Sequence, residues 1–296
     1  MTGEIRENSF FEAMKIREDL WQILGQGGEL CYLLEGEEKA ILIDGLVGAG
    51  SLKAFVRELT DKPVTMILTH GHLDHTGAVW EYGECLMHPD DIALMYSQRH
   101  SGVLERYHFA KMQGPLATHQ NPSLTPDDII PPKAVRTYPL YDGDIIDAGG
   151  IQLEAIAVPG HTFGTLVFLD RKNRVLFSGD ACNINTLLGM TGCTSIEQYL
   201  ESLRHLESFS EAFDVMYGGH GRDCVPNTIV NDAISMCGRI LAGTDDAEPA
   251  KSMDGEDVFY GSNHRPDYLP ACGGLANIQY SRDRLYRKDV RRYQPE

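Results

Sequence analysis

The chain has 296 residues, 42% of them hydrophobic, and a formal net charge of -17. That length can bury a sizeable core, and the acidity excludes nucleic acid and anionic membrane surfaces as expected partners. No apolar stretch reaches the length of a membrane span, the segment Met1–Glu7 lacks the apolar core of a signal peptide, and the cysteines at 31, 85, 182, 193, 224, 237 and 272 form no C-x-x-C pair, so the expectation is a cytoplasmic protein with reduced thiols.

In chain order, Met14 to Leu24 alternates loosely and reads as an edge strand. Gly25-Gln26-Gly27-Gly28 is a turn. Leu30 to Leu34 and Ala40 to Asp44 are apolar runs flanking Glu35-Gly36-Glu37-Glu38, the pattern of a β-hairpin. Ser51 to Thr60 has helical spacing behind a Ser cap. Pro63 restarts a strand over 64–68. A short strand, Cys85 to His88, precedes residues 89–133, which read as an insertion: helical from Asp90 to His108, then a Pro-, Thr- and Asp-rich loop from Gly114 to Pro132, forming a lid. Its His100, His108 and His119 are expected on the surface.

A second strand-rich half follows, with short runs at 134–140, 144–146, 151–158, 165–169 and 174–177. Ser195 to Ser208 reads as a helix, Phe213 to Tyr217 as the last core strand, and Asn227 to Ala242 as another helix. A C-terminal extension begins at about 243 with a charged linker and ends in a strand, Leu275 to Tyr280. Two strand-rich halves with helices outside predict an α/β fold: a four-layer αββα sandwich of two mixed sheets, forming a single domain over residues 1–296.

Potential metal ligands are concentrated at strand ends. His70-Gly71-His72-Leu73-Asp74-His75 directly follows the 64–68 run. In extended chain His70 and His72 point the same way, whereas Asp74 and His75 start a helical turn and face elsewhere, so one loop can serve two ions from two directions. Three further strand ends each present one ligand beside glycine: Pro159-Gly160-His161, Ser178-Gly179-Asp180 and Gly218-Gly219-His220. Together these are five His and two Asp. Neutral imidazole and carboxylate suit Zn²⁺, with Fe or Mn as alternatives.

This set, in this order, resembles the metallo-β-lactamase-fold hydrolase superfamily over about Leu30 to His220. The resemblance implies that His70, His72 and His161 hold a first divalent ion, that Asp74, His75 and His220 hold a second, and that Asp180 bridges both. It implies a hydroxide shared by the two ions as nucleophile, oriented by the catalytic Asp74, which passes its proton to the leaving group. Asp44, at the hairpin end, matches a position that orients a ligand His.

Departures from the family's branches narrow the expected reaction. Asp180 and the absence of a signal-like segment disfavour antibiotic hydrolysis. Only 40 residues separate Asp180 from His220, which disfavours the nucleic-acid-cleaving branches. His72 stands where diiron flavoproteins usually carry Glu. What remains resembles the glyoxalase II and lactonase type: a dinuclear hydrolase of a small ester, thioester or lactone. A small-molecule phosphodiesterase and a mononuclear-iron persulfide-type oxidoreductase are the alternatives, and a homo-oligomer is left open. Acyl-homoserine lactonases carry Tyr three residues after the bridging Asp, where this chain has Asn183. Asn183, His264 and Arg265 are the expected substrate contacts.

Overall fold

The computed structural model describes residues 3–112, 116–253, 255–265 and 269–290. The chain divides into two compact units, one built from the residues up to Ala155 with Gly219–Arg222, the other from Ile156–Gly218 and the residues from Asp223 on.

The first unit is organised on an eight-stranded mixed sheet whose order follows the sequence. Its strands are β1 (Ile5–Glu7), β2 (Glu12–Arg17), β3 (Leu20–Leu24), β4 (Leu30–Glu35), β5 (Ala40–Ile43), β6 (Val64–Ile67), β7 (Glu84–Met87) and β8 (Arg136–Pro139). Neighbours are antiparallel from β1 to β5 and parallel from β5 to β8. Every residue of β3 and β5 is buried, so apart from Gln22 these read as apolar runs rather than as alternation. Helix α1 (Leu52–Leu59) begins where the Ser51 hydroxyl accepts the Ala54 N–H at 3.1 Å. It buries Leu52, Phe55 and Val56 in the same cluster as Trp21, Leu33, Leu42 and Met66. Each such side chain contributes roughly 1.5–3 kcal/mol by leaving water.

Two sequence expectations are corrected here. Met14 to Leu24 is not one edge strand: β2 and β3 form a hairpin, and β1 takes the edge. The run 134–140 does not belong with the later strands, because β8 pairs in parallel with β7. The insertion brings the chain back to the sheet edge it left, which is invisible to local patterning.

After β6 come α2 (Leu73–Thr76) and α3 (Val79–Tyr82). The insertion holds three short helices, α4 (Ile92–Tyr96), α5 (Gln98–Ser101) and α6 (Val103–Ala110), because Ser97 and Gly102 adopt extended backbone between them. Gly114 of its loop lies outside the described residues.

The boundary between the units falls inside β10 (Gln152–Ala157), whose first residues pair with β9 (Ile145–Asp147) in the first unit. In the second unit β11 (Leu166–Asp170) pairs antiparallel with β12 (Val175–Gly179). Strand β13 (Asn185–Leu188) and helix α7 (Ile196–Glu207) follow, then β14 (Val215–Gly218), parallel to β12, and β15 (Val225–Pro226). Ile196, Tyr199, Leu203 and Leu206 of α7 repeat at helical spacing and pack with Ile229, Ala233, Met236 and Ile240 of α8 (Ile229–Ala242) in one core.

The C-terminal extension is more ordered than its sequence signals. β16 (Glu248–Lys251) and β17 (Asp257–Tyr260) form a hairpin, β18 (Asn277–Tyr280) joins it, and β13 completes a four-stranded sheet, a third among the described residues where two were expected. Glu-Pro-Ala-Lys carries no strand pattern, so cross-strand pairing alone defines β16. No described helix is long and apolar enough to cross a membrane.

Candidate metal centre

In the first unit, β6 stops at Ile67 and Leu68 still donates to the Leu86 carbonyl, so the His70–His75 loop leaves directly from the end of the parallel strands. His70, His72, Asp74 and His75 are all at most 7% exposed. His70 Nε2 and His72 Nδ1 face each other at 3.1 Å. His72 stands in extended backbone just before α2, which turns Asp74 and His75 elsewhere. There Asp74 Oδ2 lies 3.1 Å from His220 Nε2 and 3.6 Å from His75 Nε2. The loop thus sets His70 against His72, and Asp74 against His75 and His220.

Asp44 sets the protons on this loop. Its backbone is left-handed, with φ 66°, a conformation Asp tolerates. Its carboxylate accepts the Thr69 N–H at 2.7 Å, the Thr69 hydroxyl at 2.7 Å and His75 Nδ1–H at 2.8 Å. Since the Thr69 hydroxyl donates to Asp44, its oxygen accepts from His70 Nδ1–H, 3.0 Å away. Both imidazoles therefore carry their proton on Nδ1 and present an Nε2 lone pair. Buried lone pairs aimed at a neighbouring nitrogen or carboxylate are unfavourable alone and favourable around a cation, so this donor set fits divalent metal.

His220 is delivered by a loop that rejoins the first unit. Leu30 N–H donates to Gly219 O at 2.7 Å, and Glu29 bridges to His220 in β fashion. The Gln22 side chain donates to Arg222 O at 3.0 Å. Glu29 was missed in the sequence, where it is one acid after a Gly-rich turn. It is fully buried, and its carboxyl accepts the N–H groups of Gly27 at 2.8 Å and Val47 at 3.2 Å. Burial pushes its pKa up to about 7, with the charge of Asp74 adding to the rise and the hydrogen bonds opposing it. Two insertion residues also reach the ligand loop, Asp91 and His100. His100 is 7% exposed, against the expectation of a surface position, because it packs on His72; His108 is exposed as expected, and His119 is half-buried.

The second unit presents His161 and Asp180. His161 donates from Nδ1 to Leu187 O at 2.7 Å, so it too offers Nε2, which lies 3.6 Å from Asp180 Oδ2. Gly160 is required beside it: a Cβ there would sit 2.3 Å from the Tyr199 ring. Tyr199 in turn donates to Ala181 O at 2.7 Å, pinning the residue after Asp180.

The expected substrate contacts have other bonds here. Asn183 accepts the Asn185 N–H at 3.0 Å, a turn closed on itself. His264 lies between Glu248 Oε2, 2.8 Å from Nδ1, and Asn185 Oδ1, 3.0 Å from Nε2. Arg265 is exposed, and its N–H donates to Leu269 O.

A model of the metallo-beta-lactamase superfamily matches residues 24–220. The protein YobT of Bacillus subtilis (strain 168) is 33% identical over 168 residues, covering 55% of this chain and 65% of YobT. The acyl-coenzyme A thioesterase MBLAC2 of Gallus gallus is 23% identical over 184 residues, covering 59% of this chain and 65% of MBLAC2. The matches thus span just under two thirds of either relative's length. Among solved structures, a metallo-beta-lactamase family protein from Thermus thermophilus superposes with a TM-score of 0.51 at 20% identity, over 77% of this chain and 81% of that one. That likeness establishes the expected fold class.

Proposed function

The chain belongs to the metallo-β-lactamase superfamily, and from that premise we propose that it is a dinuclear metal-dependent hydrolase of small thioesters, esters or lactones, with acyl thioesters first. In this reading the whole chain is one hydrolase domain with one centre. His70, His72 and His161 hold one divalent ion, Asp74, His75 and His220 the other, and Asp180 serves both; Zn²⁺ is the first choice, with Fe or Mn as alternatives. The observation that carries the reading is the Asp44–Thr69 relay, which presents the Nε2 lone pairs of His70 and His75. Bound there, such ions supply Lewis acidity and a water acidic enough to be deprotonated near neutral pH.

The chain's own residues supply orientation and proton transfer. Asp74 Oδ2, beside His220 Nε2, orients the attacking water and accepts its proton. The C–O bond forms, the C–S bond breaks, and the proton goes from Asp74 to the departing sulfur. A thiolate is a good leaving group, since free thiols have a pKa of about 8.5, so one carboxylate suffices as shuttle. The thioesterase name of the MBLAC2 relative supports acyl thioesters. Seven free cysteines support a reducing, cytoplasmic setting. Asn183, His264 and Arg265 would act on substrate only after exchanging the bonds described above, so they rank behind Asp74.

The test is a panel of acyl thioesters, lactones and small phosphodiesters, assayed with metal content measured on the same sample. Two divalent ions per chain with thioester cleavage are expected. One iron per chain with oxygen consumption on a sulfur substrate would overturn the reading.

A further inference from the structure

The insertion after β7 touches the ligand loop at its two non-ligand positions. Gly71 and Leu73 alternate with His70 and His72, and their N–H groups have left the sheet. Gly71 N–H donates to Asp91 Oδ2 at 2.8 Å, and Leu73 N–H donates to His100 Nδ1 at 3.2 Å. Two insertion side chains thus replace the strand that would otherwise satisfy this backbone. Asp91 is 1% exposed. The approach is close: a Cβ on Gly71 would lie 2.7 Å from the Asp91 carbonyl oxygen. The His100 ring also stacks on His72, with centroids 4.9 Å apart and planes 22° from parallel.

The insertion is itself anchored. Arg106 of α6 is fully buried. Its guanidinium donates to Val47 O at 3.4 Å and to Ile130 O, and lies 6.0 Å from the Trp80 ring centroid. Burial lowers its pKa to about 10, which still leaves a cation at neutral pH. A buried cation bound by these carbonyls ties α6 both to the insertion's own later loop, at Ile130, and to the segment after β5, at Val47.

We propose that the insertion is a fixed clamp on the ligand loop, with Asp91 and His100 as positioning residues for His70, His72 and Asp74. They act through the Gly71 and Leu73 amides and the His72 ring. The inference rests on the metal-dependent reading above. A loop held at both intervening amides keeps its imidazoles at ligating distance before metal arrives, so the ordering cost is met on folding rather than on binding.

The experiment uses the full chain and its Asp91→Ala, Asp91→Asn, His100→Ala and His100→Asn variants. Metal affinity is read by competition with a chromophoric zinc chelator, and kcat and KM are read on an acyl thioester. Asp91→Ala and His100→Ala should each weaken zinc binding about tenfold, the lower end for partners that orient ligands, and reduce kcat while leaving KM within about twofold. Asp91→Asn keeps an amide oxygen to accept Gly71 N–H, and His100→Asn places one near Nδ1 for Leu73 N–H. Both should recover most of the affinity. Wild-type affinity in His100→Ala, or no recovery in either Asn variant, would overturn the clamp. If Asp91→Ala fails to fold, the His100 pair decides alone. If wild type itself binds no metal, the functional reading fails rather than the clamp.

Discussion

Replacing Asp44 by Asn is the sharpest single perturbation of this site. The side chain keeps its size, and Asn tolerates the left-handed backbone at φ 66°. One amide oxygen can still accept the Thr69 N–H, now 2.7 Å from Oδ1. The other position becomes an NH₂ facing the two groups that donate to Oδ2, the Thr69 hydroxyl and His75 Nδ1–H. His75 must then move its proton to Nε2, where it occupies the lone pair aimed at Asp74. The Thr69 hydroxyl, no longer committed to Asp44, turns toward His70 Nδ1 and displaces that proton as well. One atom exchange therefore mis-protonates two ligands. Outer partners of ligating histidines are worth about 10–100-fold in metal affinity, or roughly 1.4–2.8 kcal/mol. Asp44→Ala should go further: it strands buried donors at about 1–3 kcal/mol each and places Ala at positive φ at about 1–2 kcal/mol. The assays are zinc competition for Asp44→Asn and urea unfolding of the metal-free chain for both variants. Asp44→Asn should lose affinity with a small stability change, while Asp44→Ala should lose at least about 3 kcal/mol of stability, as when a buried pair is broken. Zinc affinity of Asp44→Asn within twofold of wild type would refute the tautomer argument.

Stripping the metal with a chelator should abolish thioester cleavage and lower the melting temperature, since an ion at 100 times its Kd stabilises the folded chain by about 2.7 kcal/mol; an unchanged melting curve would count against a resident ion. Gly160→Ala forces a Cβ to within 2.3 Å of the Tyr199 ring, and overpacking of this kind should cost about 1–3 kcal/mol, read by urea titration. A native thiol titration should label Cys224 and Cys272 only, because the other five cysteines are buried. Burial raises the Cys85 and Cys182 pKa to about 12. Their thiols stay neutral in the fold at pH values where unfolded thiols, with a pKa of about 8.5, already ionise. The stability held in the neutral thiol is complete below the unfolded pKa and is lost as pH rises toward 12. Labelling should therefore stay at two when the titration is repeated at about pH 9.5.

The candidate ligands were legible because one cluster directly follows the 64–68 run and the other three each follow an apolar run and a glycine. That is local information: strand period, turn chemistry and spacing within six residues. The Ser51 cap was readable for the same reason, since a cap bonds to an amide three residues on. In the extension only the closing strand, β18, was readable; β16 and β17 take their identity from pairing with each other and with β18.

By itself, then, the sequence determined which side chains could bind metal and that the chain alternates strands and helices, since both follow from periodicity over a few residues. Tertiary structure decided which nitrogen His70 and His75 present, because Asp44 is 25 residues from Thr69 and 31 from His75. It also decided that Glu29, Asp91 and His100 belong to the site. Each of these meets its partner across a separation in sequence that no local pattern records. Whether their polar groups stabilise or cost depends on burial and on the partner found there, and both are set only when the sheet has brought the loops together.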